Sequence, residues 1–172
     1  MKSFSSKMNN KAYACSIVLL SLALILGYIE AMFPLNIGYV GVRIGLSNII
    51  TILGFKMLDA KKTFIINILR VLILGMVFSN LIRFLVSLAG FLLSFFIMYL
   101  CLLRLDFSIV VSSIFGGVFH NTGQILMVVV ATNNLYVLNL IYIYIIFGMT
   151  SGLVIGFISD FCYKRLKKVI FE

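Results

Sequence analysis

The feature that most constrains this chain is its division into apolar runs of membrane-crossing length, parted by short polar breaks. A helix needs roughly 20 apolar residues to cross the hydrocarbon core of a bilayer. The candidate runs are 12–32, 37–55, 63–80, 84–103, 108–131 and 138–161. The breaks fall at Phe33-Pro34, Lys56 to Lys62, Asn80 to Arg83, Arg104-Leu105-Asp106 and Thr132-Asn133-Asn134. Backbone groups in lipid must be satisfied within the protein, and no run alternates as a barrel strand does, so the spans are helices. The expectation is an all-α integral membrane protein of six transmembrane helices, a single membrane domain over residues 1–172. Gly38, Gly41, Gly45 and Gly54 make the second span the weakest, flexible and partly re-entrant in character.

Charge position gives the topology. With the N-terminus inside, cytoplasmic segments hold Lys2, Lys7, Lys11, Lys56, Lys61, Lys62, Arg104, Lys164, Arg165, Lys167 and Lys168, and outer loops hold only Arg83. The positive-inside rule then requires an even number of spans with both termini cytoplasmic. The same placement accounts for the net charge of +9 without nucleic acid, because the basic residues lie at chain ends and in short loops. With 63% hydrophobic and 11% charged residues, lipid is the natural surrounding. Lys2, Lys7 and Lys11 ahead of an apolar run suggest a signal peptide, but the run reaches Met32 and no small-residue cleavage site follows. It reads as a first membrane helix.

Some residues do not belong in lipid. Glu30, Arg43, Arg70 and Arg83 are ionisable, and His120, Asn121 and Gln124 share one helix. Such groups cost several kcal/mol in a membrane unless paired or hydrated, so they mark a site or pathway by default. On this topology all of them fall between the midplane and the outer surface, which points to an outward-open polar cavity. Three arginines against one glutamate bias it toward a carboxylate, a phosphate or another electron-rich ligand. Each residue also has a structural reading. Glu30 pairs with Arg43 as a clamp, Arg70 bonds helix carbonyls or Asn67, His120 is a neutral packing residue, and Asn48 and Asn121 join helices.

Catalytic and metal chemistry find no pattern here. The five acidic residues are unpaired at short spacing, and no nucleophile elbow, phosphate-binding glycine loop or HExxH sequence is present. Cys15, Cys101 and Cys162 have no metal spacing, a lone histidine makes no metal site, and no cofactor is implied. Without an ATP site, uptake against a gradient needs a partner or an ion gradient. Gly148, Gly152 and Gly156 recur every fourth residue, a stripe that serves either internal helix packing or docking of a partner membrane protein.

Two stretches carry a family resemblance. Gly41-Val42-Arg43-Ile44-Gly45-Leu46-Ser47-Asn48-Ile49 resembles the glycine, basic residue, glycine-leucine-x-asparagine signature of the Gx transporter family. Phe115 to Gln124 resembles its His-Asn-x-Gly-Gln signature, with further matches at Ile29-Glu30, Leu69 to Leu72 and Ser87 to Ser94. Tyr39-Val40-Gly41 stands where the family has a proline-glycine pair before the basic residue. This family is often labelled heptaprenyl diphosphate synthase component I. It is similar to the substrate-binding (S) components of energy-coupling factor (ECF) vitamin transporters.

The resemblance implies a multi-pass protein of the plasma membrane of a bacterial cell that captures a small anionic or amphipathic metabolite from outside. Glu30, Arg43, Asn48, Arg70, His120, Asn121 and Gln124 would line its site, and Gly148, Gly152 and Gly156 would meet a transmembrane coupling subunit served by ATPases. An enzymatic role is not expected, because prenyl chain elongation needs clustered aspartates, whereas Asp59, Asp106 and Asp160 are isolated. The alternatives are a noncatalytic membrane subunit of polyprenyl diphosphate or quinone synthesis, or a structural subunit of flavin-based extracellular electron transfer.

Overall fold

The structure, a computed structural model, describes residues 2–32, 44–78 and 81–171. Among these residues the chain is all-helical: α1 (Lys2–Met32), α2 (Asn48–Met57), α3 (Ala60–Phe78), α4 (Leu81–Tyr99), α5 (Ile109–Thr132) and α6 (Ile141–Phe171). A π-helical turn, Leu100–Arg104, extends α4, and a 3₁₀ segment, Leu135–Leu140, leads into α6.

Local chemistry sets the ends. The Asp59 carboxylate accepts the Lys62 N–H at 2.7 Å to start α3, and Ser108 Oγ accepts the Val111 N–H at 3.3 Å to start α5. Asn133 closes α5 in the left-handed region (φ 49°), which asparagine tolerates better than most residues.

Four segments are long and apolar enough to cross a membrane: Tyr13–Met32, Leu81–Arg104, Ile109–Thr132 and Leu135–Lys168. α3 is long too, but Lys61, Lys62 and Arg70 interrupt its apolar character. The distribution of side chains is that of a protein solvated by lipid. Apolar side chains such as Met76, Val130 and Phe96 are exposed, while Asn67, Asn121, Gln124 and Ser112 are buried. Water would drive the reverse arrangement.

Three expected spans change, the first only in that its helix starts at Lys2, ten residues ahead of the expected 12. Residues 37–43 of the second candidate lie outside the described residues, and residues 44–47 are turn rather than helix. The helix itself has 10 residues, about 15 Å, or half the hydrocarbon thickness. Its C-terminal end packs at the start of α3, where a Cβ on Gly54 would lie 2.6 Å from the Thr63 methyl. Its N-terminal end reaches mid-height on α6, with Ile155 Cδ1 3.8 Å from the Cβ position of Gly45. α6 runs to Phe171, ten residues past its expected end, because the basic stretch Lys164 to Lys168 continues the helix. At 31 residues, about 46 Å, it is longer than a bilayer core is thick.

α5 is the central post, packed most extensively on α6 and α4. The α5–α6 contact is backbone on backbone. A Cβ on Gly117 would sit 2.3 Å from the Gly148 carbonyl oxygen, one on Gly152 2.7 Å from the Ser113 carbonyl oxygen, and one on Gly156 2.8 Å from Val110 Cα. The Gly148, Gly152 and Gly156 stripe is therefore taken by α5 of the same chain. This corrects the expectation that these glycines dock a partner: small residues let helices touch, and here the touching helix is internal.

Candidate functional site

A small cavity of about 30 Å³ lies between α1, the turn before α2, α3, α4 and α5. Each of these five segments contributes one polar or charged group: Glu30, Ser47, Arg70, Ser87 and His120. Gly27, Leu74, Gly75 and Phe78 are among the groups that complete the wall. Glu30, Arg70 and His120 are buried, so the cavity draws ionisable side chains from three helices into a water-poor interior. The basic residues at the starts of α3 and at the ends of α2 and α6 lie toward the other end of the helices.

Glu30 carries one turn of the site. Its carboxylate accepts the backbone N–H of Gly45, and Gly45 is held at φ +79°, a conformation that glycine adopts freely. The Gly45 carbonyl then accepts the Asn48 N–H at 2.8 Å, which starts α2. Arg43, the expected partner of Glu30, lies outside the described residues. The described anchor of Glu30 is backbone, not guanidinium.

Arg70 projects from mid-α3 beside α1, where its Cδ is 3.6 Å from the Cβ position of Gly27. Asn67, one turn earlier, is engaged elsewhere: its Oδ1 accepts from Thr51 Oγ1 at 3.1 Å, and its Nδ2 donates to the Thr63 carbonyl at 3.0 Å.

On α5, Gln124 Nε2 lies 3.2 Å from His120 Nε2. The two side chains are one turn apart on α5 and within hydrogen-bond distance of each other. Gly90 of α4 makes room for the pair, since a Cβ there would lie 2.8 Å from Gln124 Cγ and 2.9 Å from the His120 carbonyl oxygen.

The expected site residues thus divide. Glu30, Arg70 and His120 line the cavity, and Gln124 supports it through His120. Asn121 does not line it: its Nδ2 donates to the Tyr144 carbonyl of α6 at 3.1 Å, tying the two helices together. Asn48 is buried in the first turn of α2 and is not among the cavity's lining residues. Ser47 and Ser87 do line it, although their side-chain chemistry alone marks neither. Both fall within the motif stretches, which is the only signal that could have found them. Ser87 donates its proton to the Arg83 carbonyl at 2.7 Å, whereas Ser47 Oγ is fully buried with no hydrogen-bond partner among the described residues.

The family model described as heptaprenyl diphosphate synthase component I matches residues 19–162, well over half of the chain. The chain belongs to this family. The match runs from α1 to α6 and takes in every group that lines the cavity. "Component I" implies that members of the family work with a partner subunit. No curated protein and no solved structure matches the chain. Among the described residues, no cluster of three or more histidine, cysteine, aspartate or glutamate side chains is placed to hold a metal.

Proposed function

We propose that this protein is a membrane substrate-binding component of the ECF type, which captures a small anionic or amphipathic metabolite from the outer side of the plasma membrane and passes it on with partner subunits. The observation that carries the reading is the convergence of Glu30, Ser47, Arg70, Ser87 and His120, from five segments, on one buried cavity. Packing alone does not require ionisable groups from three helices to share a void, and within a membrane each costs several kcal/mol unless it is paired or hydrated. The positive-inside rule orients the basic helix ends toward the cytoplasm, which puts the cavity in the outer half. A short helix that begins at mid-depth beside the cavity supports the same reading, because discontinuous helices build substrate sites in transporters.

Native mass spectrometry of the gently solubilised protein tests this reading. A bound metabolite, with a membrane coupling protein and ATPases, is the expected result. Arg70→Ala should then release the metabolite while the protein still inserts. Retention at unchanged affinity in that variant would sink the assignment.

The family description favours a second reading, a noncatalytic membrane subunit of a prenyl diphosphate synthase. An open apolar groove of about 410 Å³ between α4 and α5, lined by Leu92, Phe96, Leu126 and Val130, is suited to a hydrocarbon chain. Copurification with a soluble, aspartate-rich synthase and an empty cavity would decide for it.

A further inference from the structure

We propose that the basic end of the bundle binds anionic phospholipids, whose phosphates are held by Arg165 of α6, Lys61 of α3 and Arg104 of the turn that extends α4. Such a surface is independent of what the cavity binds.

α6 shows why the partner is a lipid. About twenty residues from Ile141, enough to cross the hydrocarbon core, end at Asp160, the first charged residue of the helix. Beyond it the helix stays on the body of the protein, since Cys162, Tyr163 and Leu166 still pack against the apolar cluster built around α2. The opposite face carries Leu153, Phe157 and Phe161 at four-residue spacing, all exposed. One step further along the same row stands Arg165, also exposed. Helix side chains lean toward the N-terminus, and the Arg165 guanidinium lies 5.4 Å from the centre of the Phe161 ring. Its cation is therefore turned back toward the bilayer about one turn past the hydrocarbon edge, where lipid phosphates lie.

α3 and α4 repeat the pattern. Ile73, Leu69 and Ile65 form an exposed row at four-residue spacing, and that row ends on exposed Lys61. On α4, Leu92 and Phe96 are exposed, and its extension ends on exposed Arg104, 6.0 Å from the centre of the Tyr99 ring. Each of three helices thus closes an exposed apolar face with a cation at the same end.

Placement separates a lipid from a protein partner. α6 packs chiefly on α5 and α2, and α3 on α1 and α4, so Arg165 and Lys61 lie on different sides of the bundle. A leaflet surrounds the protein and meets both, whereas an acidic protein docking from solution would need its cations in one patch. Charge agrees. The segments assigned to this side by the sequence hold eleven basic residues against four acidic ones. Two of the acidic groups are paired, Asp59 with Lys62 at 3.1 Å and Asp160 with Lys164 at 2.6 Å, and neither pair uses Arg165, Lys61 or Arg104.

The test reconstitutes the full chain in nanodiscs of phosphatidylcholine with a minor fraction of phosphatidylglycerol. The protein is then released into gentle detergent, and its retained lipids are counted by native mass spectrometry. Phosphatidylglycerol should be enriched over its share of the bilayer. Arg165→Gln and Lys61→Gln should each lower the enrichment about fivefold, the effect of one cation at an anionic surface. Arg165→Lys keeps the charge and should keep most of the enrichment, which separates lost charge from lost packing on Phe161. Inorganic phosphate should not displace the lipid. Retention in proportion to bilayer composition overturns the proposal, as do full enrichment in both glutamine variants, equal losses in Arg165→Lys and Arg165→Gln, or displacement by inorganic phosphate. Loss of a copurifying acidic protein from the glutamine variants, with lipid retention unchanged, would assign these cations to protein docking and overturn it as well.

Discussion

The Glu30 carboxylate accepts the backbone N–H of Gly45, fifteen residues along the chain, and so fixes the turn from which α2 starts. An acidic side chain near the end of one helix thereby sets the depth at which another begins. Glu30→Ala leaves that buried N–H without its acceptor and should cost about 1–3 kcal/mol. Glu30→Gln keeps an acceptor oxygen and should cost less. Thermal unfolding of the purified protein in detergent ranks the two, and equal losses would mean that the hydrogen bond does not carry the turn.

Gly45 itself is predicted to resist substitution. At φ +79° an alanine is strained by about 1–2 kcal/mol, and its Cβ would also sit 3.1 Å from Asn48 Nδ2. Gly45→Ala should lower the unfolding midpoint and weaken ligand capture together, because it shifts Ser47. A variant with unchanged midpoint would show that the turn adopts another conformation.

The α5–α6 seam makes a sharper case. A Cβ on Gly117 or Gly148 meets backbone at 2.3 and 2.7 Å, so the helices must separate. Gly117→Ala and Gly148→Ala should each cost about 1–3 kcal/mol. Gly27→Ala should be milder, since its nearest neighbour is the mobile methyl end of Leu74. Chemical denaturation in mixed micelles compares the three. A Gly27 variant as damaged as the other two would contradict this geometry.

Asn121 and Arg70 should separate stability from binding. Asn121→Ala removes the hydrogen bond to the Tyr144 carbonyl and should cost about 1 kcal/mol of stability with little change in ligand affinity. Arg70→Lys should do the opposite, weakening capture more than folding, because an ammonium cannot reproduce the guanidinium fork. Paired titrations and melting curves on both variants check the crossover.

Asp59 makes a pH-dependent prediction. Its carboxyl is held below the ordinary 3.8, first by the hydrogen bond from the Lys62 backbone N–H, with the Lys62 side chain adding to it. A depressed carboxylate stabilises the fold above its unfolded-state pKa, and that contribution is lost as pH falls through the lower folded value. Stability from this cap should therefore be flat above about pH 5 and fade toward pH 3. Asp59→Ala should lose about 1 kcal/mol at neutral pH and show a shallower acid decline. An equally steep decline in the variant would place the acid sensitivity elsewhere.

The sequence by itself determined the class. Apolar runs, the polar breaks around Asp59 and at Asn133, and the placement of lysines and arginines were enough for an all-helical chain, because hydropathy acts locally, although α1 starts ten residues before its expected bound, α6 ends ten residues beyond its own and α2 starts eleven residues late. It also singled out Glu30, Arg70 and His120, since an ionisable group within an apolar run needs a reason wherever it packs. Tertiary structure decided the rest. Whether the glycine stripe of α6 faces a partner or α5 depends on which helix lies beside it, and a four-residue repeat is the same in both cases. Asn121 and Gln124 are one turn apart on the same helix, yet one bonds a backbone carbonyl of α6 and the other supports His120. The half-length of α2 and the buried hydroxyl of Ser47 were out of reach for the same reason: both follow from the contact that Glu30 makes with Gly45, and hydropathy along the chain does not encode contacts across it.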